Sequence, residues 1–507
     1  MEHSPRTKVT QTRLDLAIAR HTGEAVALVD GDRTLSYHAL EQHVRSTKAW
    51  ITTLVRPDEL IGIYIDNSLE AVVAILAAMR AGIAAVPINT KNDASTVDFI
   101  AQNAGAGAIL ASKIGLRRIG EADLGVAVHL FELTQTPSEE ESTGPQIGAG
   151  LPDTALVFFT SGSTGKPKGV CVSHDNLVHG ADSVARYLNV QAEERIAAVL
   201  PVSFDAGLNW VLTGLACGAE IHLLKFIFPR SLAADLGKHE IRALLAVPSV
   251  FHALSEAPAS QGSEGIRMAS TGGRMDAPIV NALRSTYRDL KFTVMYGLTE
   301  AFRATYLPDY QWTQAPHSIG HPIPHAEISI MRDDGTQADM GETGEIIQSG
   351  PLVSKGYINS PRQQRLRFGP TPLWSTWKET HPISVYSGDQ GFVGDDGFIY
   401  FAGRKDRLIK SRGFRISPEE LEKAIVSHAG IDHIVCFGED DVSVGQRIVV
   451  VAEGRENKHS TLNSLRLALR GHVPDYMLPD ALRWLATFPL SANGKFDVKR
   501  IIEMTKS

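Results

Sequence analysis

The feature that most constrains the fold is an alternation of short apolar runs with apolar segments of helical length. Residues 61–65 are typical of a buried strand, residues 69–80 of an apolar helix, and residues 84–88 of a second strand. Strands joined through a helix run parallel, because a tight turn joins only antiparallel neighbours. This pattern predicts an α/β architecture built on parallel sheets. Further strand-like runs follow at residues 108–111, 155–159, 221–224 and 243–247.

The second part of the chain has a different sequence pattern. From about Gly341 it consists of short strands with turn signals, such as the Asp396-Gly397 pair of a hairpin. The last hundred residues alternate strands and helices, and Ser417-Pro418 with Glu420 predicts the capped start of a helix. The predicted fold class is therefore α/β, with a large N-terminal domain of parallel-sheet α/β subdomains and a β-rich subdomain. A small α+β domain follows at the C-terminus.

Composition narrows the class of protein. A chain of 507 residues favours two to four domains at roughly 150 residues each. A net charge of −7 argues against a nucleic-acid partner. The hydrophobic share of 43% is ordinary for a soluble enzyme, and three cysteines without a CxxC pair indicate neither a zinc site nor a disulfide framework.

Targeting signals are not evident in the sequence. Residues 1–13 are polar and lack the apolar core of a signal peptide. The most apolar stretch, residues 71–86, is interrupted by Arg80 and is too short to span a bilayer. We therefore expect a cytoplasmic protein with no membrane span.

A loop rich in glycine and hydroxyl groups follows the predicted strand at 155–159. Glycines allow close backbone approach to a ligand, while hydroxyls, amides and lysines can surround phosphate oxygens. The loop differs from a Walker motif because Pro167 follows its first lysine, where Ser or Thr is required. A flexible surface loop is the alternative to a nucleotide site. The residues expected to bind phosphate are Thr160, Ser161, Gly162, Ser163, Thr164, Gly165, Lys166 and Lys168.

This segment, TSGSTGKPKGV, closely resembles the signature of the adenylate-forming (AMP-binding) ligases, which include acyl-CoA synthetases, luciferases and the adenylation domains of peptide synthetases. Four further motifs occur in that family's order, so the resemblance covers nearly the whole chain. They are the stretches at 271–274, 296–300, 387–389 with 403–406, and 493–495.

The resemblance implies roles for the nucleotide-binding residues. Tyr296, beside Gly297, is expected to stack on adenine, Thr299 to bond the α-phosphate, and Glu300 to hold Mg²⁺. An aromatic, a hydroxyl and a carboxylate after a predicted strand also suit the ligand edge of an α/β sheet. The remaining expected contacts to ATP or AMP are those of Gly272, Gly273 and Arg274 beside the base, of Asp389 at the ribose, and of Arg404 at the ribose or a phosphate.

The resemblance also implies a mobile C-terminal domain. The N-terminal adenylation core is expected at residues 1–403, a hinge at 404–407 that contains Asp406, and the mobile domain at 408–507. Lys495 matches the family's catalytic lysine, which acts with Thr299 and Glu300. Gly413 matches the glycine beside the thiol tunnel. The implied reaction is ATP-dependent formation of an acyl-adenylate, followed by transfer to a phosphopantetheine thiol.

The acid is left open by the sequence. Phe204, Asp205, Asn209 and Leu298 are expected to line the acyl pocket. Asp205 resembles the aspartate that holds the substrate amine in peptide-synthetase adenylation domains, but it equally suits a cap of the following helix. The substrate is an aliphatic acyl group or an amino acid, such as proline or a β-amino acid. The overall sequence, including the SFDAGLN and MYGLTEAFRATYLP stretches, most resembles stand-alone bacterial acyl ligases.

The acceptor is open as well. Only 12 residues follow Lys495 and no carrier domain is evident, so we expect the thiol to come from CoA or from a separate acyl or peptidyl carrier protein. The cations Lys410, Arg412 and Arg415 could bind the nucleotide end of CoA or an acidic carrier. A luciferase-type oxygenase and a non-catalytic nucleotide sensor are the alternatives from other classes. The expected assembly is a monomer or homodimer.

Overall fold

The computed structural model describes residues 13–120, 124–133, 153–160, 167–226, 228–404, 407, 409–411, 414–441, 444–455, 461–470, 472–491 and 495–505. The chain forms two compact units. Unit 1 comprises Met1–Ile328 and Gln348–Val385, and unit 2 comprises Ser329–Ile347 and Tyr386–Ser507.

The helices lie in both units, with α12 to α14 in unit 2. Short 3₁₀ turns are found at Thr299–Ala301, Asp309–Gln311 and Asp475–Met477. The α-helices are α1 (Leu14–Ile18), α2 (Tyr37–Leu54), α3 (Leu69–Ala81), α4 (Ala94–Ala104), α5 (Lys113–Ile119), α6 (His174–Tyr187), α7 (Asp205–Cys217), α8 (Pro229–Lys238), α9 (Pro248–Ser255), α10 (Ala277–Thr286), α11 (Pro361–Arg367), α12 (Pro418–Ala429), α13 (Leu462–Leu469) and α14 (Val498–Thr505).

The strands alternate with helices in the first 300 residues and follow one another closely after that. They are β1 (Val26–Asp30), β2 (Arg33–Ser36), β3 (Leu60–Tyr64), β4 (Ala85–Pro87), β5 (Ala106–Ala111), β6 (Ala127–Leu130), β7 (Thr154–Thr160), β8 (Lys168–Ser173), β9 (Arg195–Ala198), β10 (Glu220–Leu223), β11 (Ala243–Ala246), β12 (Arg267–Ser270), β13 (Lys291–Tyr296), β14 (Thr305–Leu307), β15 (Ser318–Pro322), β16 (Glu327–Met331), β17 (Gly344–Ser349), β18 (Gly356–Tyr357), β19 (Phe368–Pro370), β20 (Ile383–Val393), β21 (Ile399–Arg404), β22 (Ile409–Ser411), β23 (Phe414–Ile416), β24 (Ile434–Asp441), β25 (Gly445–Glu453) and β26 (Ala481–Leu485).

Unit 1 is built on two mixed sheets. One has the order β18-β8-β7-β4-β3-β5-β6, in which the neighbours from β7 to β6 run parallel and the β7–β8 pair runs antiparallel. In the other, β13, β12, β11, β9, β10 and β1 are parallel neighbours, while β2 and β14 are antiparallel to the ends of this run. The predicted α/β architecture is confirmed.

The strand–helix–strand pattern of the sequence corresponds to β3, α3 and β4. Ser68 accepts a hydrogen bond from the Ala71 amide at the start of α3, and Gly82 ends the helix in the left-handed conformation at φ 73°. Every residue of α3 except Arg80 is buried, which explains why the segment is apolar apart from Glu70 and Arg80.

Arg80 connects three helices. Its guanidinium bonds Asp15 of α1 at 3.0 Å and Glu41 of α2 at 2.8 Å, and the Asp15 side chain is fully buried. A buried carboxylate requires such partners, because removing it from water unpaired is costly.

Unit 2 contains two groups of strands. Strands β16, β17, β20 and β21 are neighbours. A separate sheet has the order β23-β22-β25-β24, with β26 parallel to β25, and packs against α12 and α13 around an apolar cluster that includes Ile425, Val450 and Leu465. This is the predicted β-rich region followed by an α+β region.

The predicted start of α12 is partly wrong. Ser417 does accept a hydrogen bond from the Glu420 amide at 3.2 Å. However, the reciprocal bond of a capping box is not formed here. The hydroxyl of Ser417 donates to the Glu419 carboxylate at 3.1 Å, which is a side-chain contact and not the capping-box bond to the Ser417 amide.

All three cysteines are buried and free of disulfides. Burial raises the pKa of Cys171 to about 11 and that of Cys217 to about 12, and it raises the pKa of Cys436 well above its ordinary value. Among the helices of the described residues, none is both long enough and apolar enough to cross a bilayer.

Candidate active site

The ends of the predicted phosphate loop are held together by two strands. Thr160 ends β7, Lys168 begins β8, and the two are opposite each other in the antiparallel register. Gly169 follows, and a Cβ there would lie 2.6 Å from Ile358, so close packing requires glycine. The residues of the loop itself, Ser161, Gly162, Ser163, Thr164, Gly165 and Lys166, lie outside the described residues, and their role stays a prediction.

A second loop, residues 297–304, joins β13 to β14. Tyr296 and Thr305 are opposite each other in register, and the Ala304 amide donates to the Tyr296 carbonyl at 2.9 Å. A Cβ on Gly297 would lie 2.7 Å from the Arg303 Cα, so only glycine allows the loop to close this tightly. The loop therefore presents Thr299 and Glu300 at the carboxyl end of β13, where α/β sheets bind ligands.

The loop is held from both sides. The side-chain amide of Gln348 donates to the carbonyls of Ala301 at 3.0 Å and Arg303 at 2.8 Å. Leu298 packs against an apolar cluster that contains Phe368 and Val385. Leu298 was expected to line the acyl pocket, and that role stays a prediction.

Glu300 is fixed by a residue that the sequence analysis missed. The hydroxyl of Tyr357 donates to one oxygen of the Glu300 carboxylate, and the Ser354 amide donates to the Glu300 carbonyl at 2.9 Å. Tyr357 belongs to β18 and is opposite Val170 of β8. The hairpin that carries the phosphate loop and the loop that carries Glu300 are thus connected through one short strand.

The chemistry of Glu300 fits a magnesium site completed by a nucleotide. Mg²⁺ is usually held by one or two carboxylates together with phosphate oxygens and water. Tyr357 donates to only one of the two carboxylate oxygens of Glu300. Within the described part of the chain, no group of three or more His, Cys, Asp or Glu residues could hold a metal ion by itself.

The Gly272-Gly273 pair follows β12, the parallel neighbour of β13. Gly272 has a positive φ of 82°, which favours glycine, and a Cβ on Gly273 would lie 3.2 Å from Pro248. Arg274 is exposed and pairs with Asp276 at 3.0 Å. Parallel neighbours end at the same edge of the sheet, so this loop lies beside the 297–304 loop.

Helix α7 presents two of the predicted pocket residues. Asp205 and Asn209 are both buried and lie one helical turn apart. The interpretation of Asp205 as the helix cap is wrong, because Phe204 occupies the N-cap position and makes no side-chain capping bond. Asp205 is the first helical residue, and its Oδ1 accepts from the Ala206 amide at 2.7 Å.

The predicted ribose-binding residues belong to unit 2. Asp389 of β20 is opposite Arg404 of β21, with 3.6 Å between the carboxylate Oδ1 and Nε. Asp389 is buried, and its amide donates to the Ser387 hydroxyl at 3.0 Å. A buried carboxylate beside a guanidinium could accept hydroxyl groups from a sugar.

Lys495 is also in unit 2 and is exposed. Its amide donates to the Ser491 hydroxyl at 3.3 Å, and its carbonyl accepts from the Ser491 amide at 2.7 Å, which closes the turn that carries the lysine. Asp406, Gly413 and Arg412 lie outside the described residues, as do the side chains of Lys410 and Arg415. The hinge and the tunnel therefore stay predictions.

Comparison with known proteins identifies the family. The AMP-binding enzyme family matches residues 16–358, and its C-terminal domain matches residues 420–495. Bacitracin synthase 3 of Bacillus licheniformis is 26% identical, in an alignment that covers 98% of this chain but only 8% of that protein. The chain thus spans a small part of that relative's length. Zwittermicin A synthase ZmaJ of Bacillus cereus is 25% identical, over 94% of this chain and 92% of that protein.

A solved structure has the same fold. The o-succinylbenzoate CoA synthetase MenE of Bacillus subtilis, in complex with the acyl-adenylate intermediate OSB-AMP, matches with a TM-score of 0.80 at 23% identity. The match covers 97% of this chain and 98% of that one. With both family matches in the expected order, the chain belongs to the AMP-binding enzymes, the adenylate-forming family.

Proposed function

We propose that the protein uses ATP to convert a carboxylic acid into an acyl-adenylate and then transfers the acyl group to a phosphopantetheine thiol. The observation that supports this most directly is the connection between the β7–β8 hairpin and Glu300 through Tyr357. A loop suited to phosphate and a carboxylate suited to Mg²⁺ are thereby held in one substructure.

The proposed chemistry has two steps. In the first, a carboxylate oxygen of the acid attacks the α-phosphorus of ATP, and the bond to pyrophosphate breaks. In the second, a thiolate attacks the acyl carbon, and AMP leaves with the electron pair of the acyl–oxygen bond. The first step is needed because AMP is a far better leaving group than the oxide of a free carboxylate.

Positioning and charge neutralisation carry most of a phosphoryl-transfer step. Glu300 would hold Mg²⁺, which neutralises phosphate charge when bound. Thr160 and Lys168 flank the loop that would surround the phosphates, and Thr299 would bond the α-phosphate. Lys495 would bridge the substrate carboxylate and the α-phosphate as charge moves between them.

An amino acid is the second candidate substrate, and the burial of Asp205 favours it. Only 8% of Asp205 is exposed, and a buried carboxylate suits an ammonium partner. A relative from Salinispora arenicola is named a probable non-canonical nonribosomal peptide synthetase, which is consistent with this candidate. The acceptor would be CoA or the phosphopantetheine of a separate carrier protein.

The test is pyrophosphate exchange. Purified protein with Mg²⁺ and ATP should incorporate labelled pyrophosphate into ATP when the correct acid from a panel of carboxylic and amino acids is added. Mass spectrometry with CoA, and separately with a carrier protein, should then detect the thioester. Failure of every acid to support exchange would overturn the proposal and favour a nucleotide-binding protein without this activity.

A further inference from the structure

Arg303 is a buried charge that the proposed nucleotide chemistry does not use. It lies in the 297–304 loop between Glu300 and β14, and only 3% of the residue is exposed. Its backbone is fixed through the carbonyl that Gln348 contacts and by the close approach of Gly297. The side chain therefore has little freedom to reach water.

The guanidinium is incompletely partnered. Nη1 donates to the Thr271 hydroxyl at 3.3 Å, a long hydrogen bond. Nε and Nη2 are buried and have no hydrogen-bond partner among the described residues. Nε–H and one N–H of Nη2 point the same way, which is the edge with which arginine binds a carboxylate through two parallel bonds. The two nitrogens left without partners are thus those of the bidentate edge.

The Arg303 guanidinium lies beside a neutral side chain, the phenol of Tyr187. Burial raises the pKa of Tyr187 to about 12, and the Arg303 guanidinium opposes that rise through its charge and through a hydrogen bond with the phenol. Tyr187 donates to the Met295 sulfur at 3.0 Å and stacks on Tyr306 at 4.7 Å between ring centroids. No ion pair joins Arg303 to a carboxylate among the described residues. A buried cation without a counter-ion is costly, so this site favours an anion that arrives from outside.

A second group in the predicted pocket is also without partners. Both polar side-chain atoms of Asn209 are buried and lack hydrogen bonds to described residues. Asn209 lies one helical turn from Asp205, so α7 adds a polar surface to the predicted acyl pocket. Buried polar groups that lack hydrogen-bond partners suit a substrate whose carbon skeleton carries polar substituents.

We propose that the acid activated by this protein carries a second carboxylate, and that Arg303 binds this second carboxylate. This inference rests on the proposed function and defines its substrate class as dicarboxylic acids, with or without an amino group. A nucleotide phosphate is the competing anion. The acid is favoured because the guanidinium lies beside the phenol of Tyr187, which itself contacts Met295 and Tyr306, whereas the phosphates are expected at the lysine-bearing loop.

The experiment compares matched pairs of acids in pyrophosphate exchange with the full chain. Each pair has one carboxylate replaced by a neutral amide of the same shape: succinate with succinamate, glutarate with glutaramate, aspartate with asparagine, and glutamate with glutamine. We expect kcat/KM for the preferred dicarboxylate to exceed that of its amide by about a hundredfold or more, because the amide leaves the guanidinium unpaired.

Two variants separate binding from folding. Arg303→Met should remove most of the preference for the dicarboxylate, raising its KM, while the KM for ATP and the activity on the amide stay within about twofold. Arg195→Met, which removes an arginine paired with Glu240 at 2.8 Å, is the matched control and should retain the preference. If Arg303→Met does not fold, the unaltered protein still provides a test. Its ratio of kcat/KM for each dicarboxylate to kcat/KM for the matching amide decides whether a second carboxylate is recognised.

The two proposals fail in different ways. One outcome is that monocarboxylic acids support exchange and each amide supports it as efficiently as its dicarboxylate partner. That outcome would overturn the role of Arg303 and leave adenylation intact. A rise in the KM for ATP in Arg303→Met, with no change in the ratio within each pair, would assign Arg303 to the nucleotide instead. Exchange with no acid at all would overturn both.

Discussion

The carboxylate of Glu300 is oriented by a hydroxyl group. Tyr357 donates to its carboxylate from a strand that also pairs with β8. Partners of this kind orient a metal-binding carboxylate and tune its affinity. Under the proposed function, the side chain of Tyr357 would therefore take part in cation binding without being a ligand.

Tyr357→Phe tests that role. We expect the Mg²⁺ concentration for half-maximal pyrophosphate exchange to rise by about tenfold, since loss of such a partner typically costs 10- to 100-fold in metal affinity or activity. Tyr400→Phe is the control, because its hydroxyl bonds Asp396 at 2.7 Å on the surface of unit 2. An unchanged Mg²⁺ dependence in Tyr357→Phe would show that the hydrogen bond does not matter for the cation.

A second residue-scale prediction concerns pH. Burial raises the pKa of Glu422 to about 7 from an ordinary value of 4.5, although Arg407 and the Cys436 amide oppose the rise. The folded chain therefore holds this proton to a higher pH than the unfolded chain does. The stability that Glu422 contributes is present below about pH 4.5 and is lost as the pH rises to about 7.

Glu422→Gln removes the titration and keeps an acceptor for the Cys436 amide. Relative to this variant, the unaltered protein should lose about 3 kcal/mol of unfolding free energy between pH 4.5 and pH 7, at about 1.36 kcal/mol per pH unit. Guanidinium unfolding curves across this range measure the difference. A difference that does not depend on pH would contradict the raised pKa.

The residues that fix this site could be predicted only in part. The candidates Tyr296, Thr299 and Glu300 follow a recognisable strand, and the structure has them at its carboxyl end. Tyr357 could not be found, because its partner is 57 positions away and nothing in the sequence marks the pair. The burial of Arg303 gives no sequence signal either, since an isolated arginine is usually exposed.

At the scale of elements, ion pairs between helices contribute most to the free energy of unfolding where they are buried. Arg80→Met should destabilise the protein by about 3 kcal/mol, the lower end of the range for a broken buried ion pair, because the buried Asp15 would lose Arg80 and retain Arg13 at 3.2 Å. Arg45→Met is the control, since Arg45 is exposed and pairs with the same Glu41 at 2.8 Å, a contact worth at most about 1 kcal/mol. Similar losses of unfolding free energy in both variants would contradict the importance of burial.

The elements themselves were predicted well where burial is uniform. The strand predicted at 61–65 is Leu60–Tyr64, and the helix predicted at 69–80 is Leu69–Ala81, because apolar runs report burial directly. Local capping was predicted less well. Asp205 and Glu420 fit capping patterns, yet the N-cap residue of α7 is Phe204, which makes no capping bond, and the Ser417 hydroxyl donates to Glu419. Polar side chains near a helix start have several alternative local partners, which a sequence pattern does not rank.

At the scale of the whole molecule, the proposed catalytic groups are divided between two units. Thr299 and Glu300 belong to unit 1, while Asp389, Arg404 and Lys495 belong to unit 2. The family resemblance predicted a different division, with Asp389 in a core at residues 1–403, Arg404 at the start of the hinge and Lys495 in the mobile domain, and those bounds stay a prediction. A hinge at 404–407 stays a prediction.

Lys495→Ala tests whether the two half-reactions use unit 2 differently. We expect pyrophosphate exchange to fall by at least about a hundredfold, because the lysine would stabilise charge only during adenylation. Thioester formation from supplied acyl-adenylate should change by less than about threefold. Lys499→Ala is the control, since Lys499 is an exposed residue of α14. Equal loss of both half-reactions would contradict the assignment.

The burial of all three cysteines has a practical consequence, because the enzyme is proposed to transfer its acyl group to a thiol. With pKa values raised by burial, these side chains stay protonated and shielded at neutral pH, and only thiolates are strong nucleophiles. The protein would thus neither intercept its own activated acyl groups nor form mixed disulfides with the acceptor. Maleimide chemistry in a complete reaction mixture should therefore modify the acceptor arm selectively.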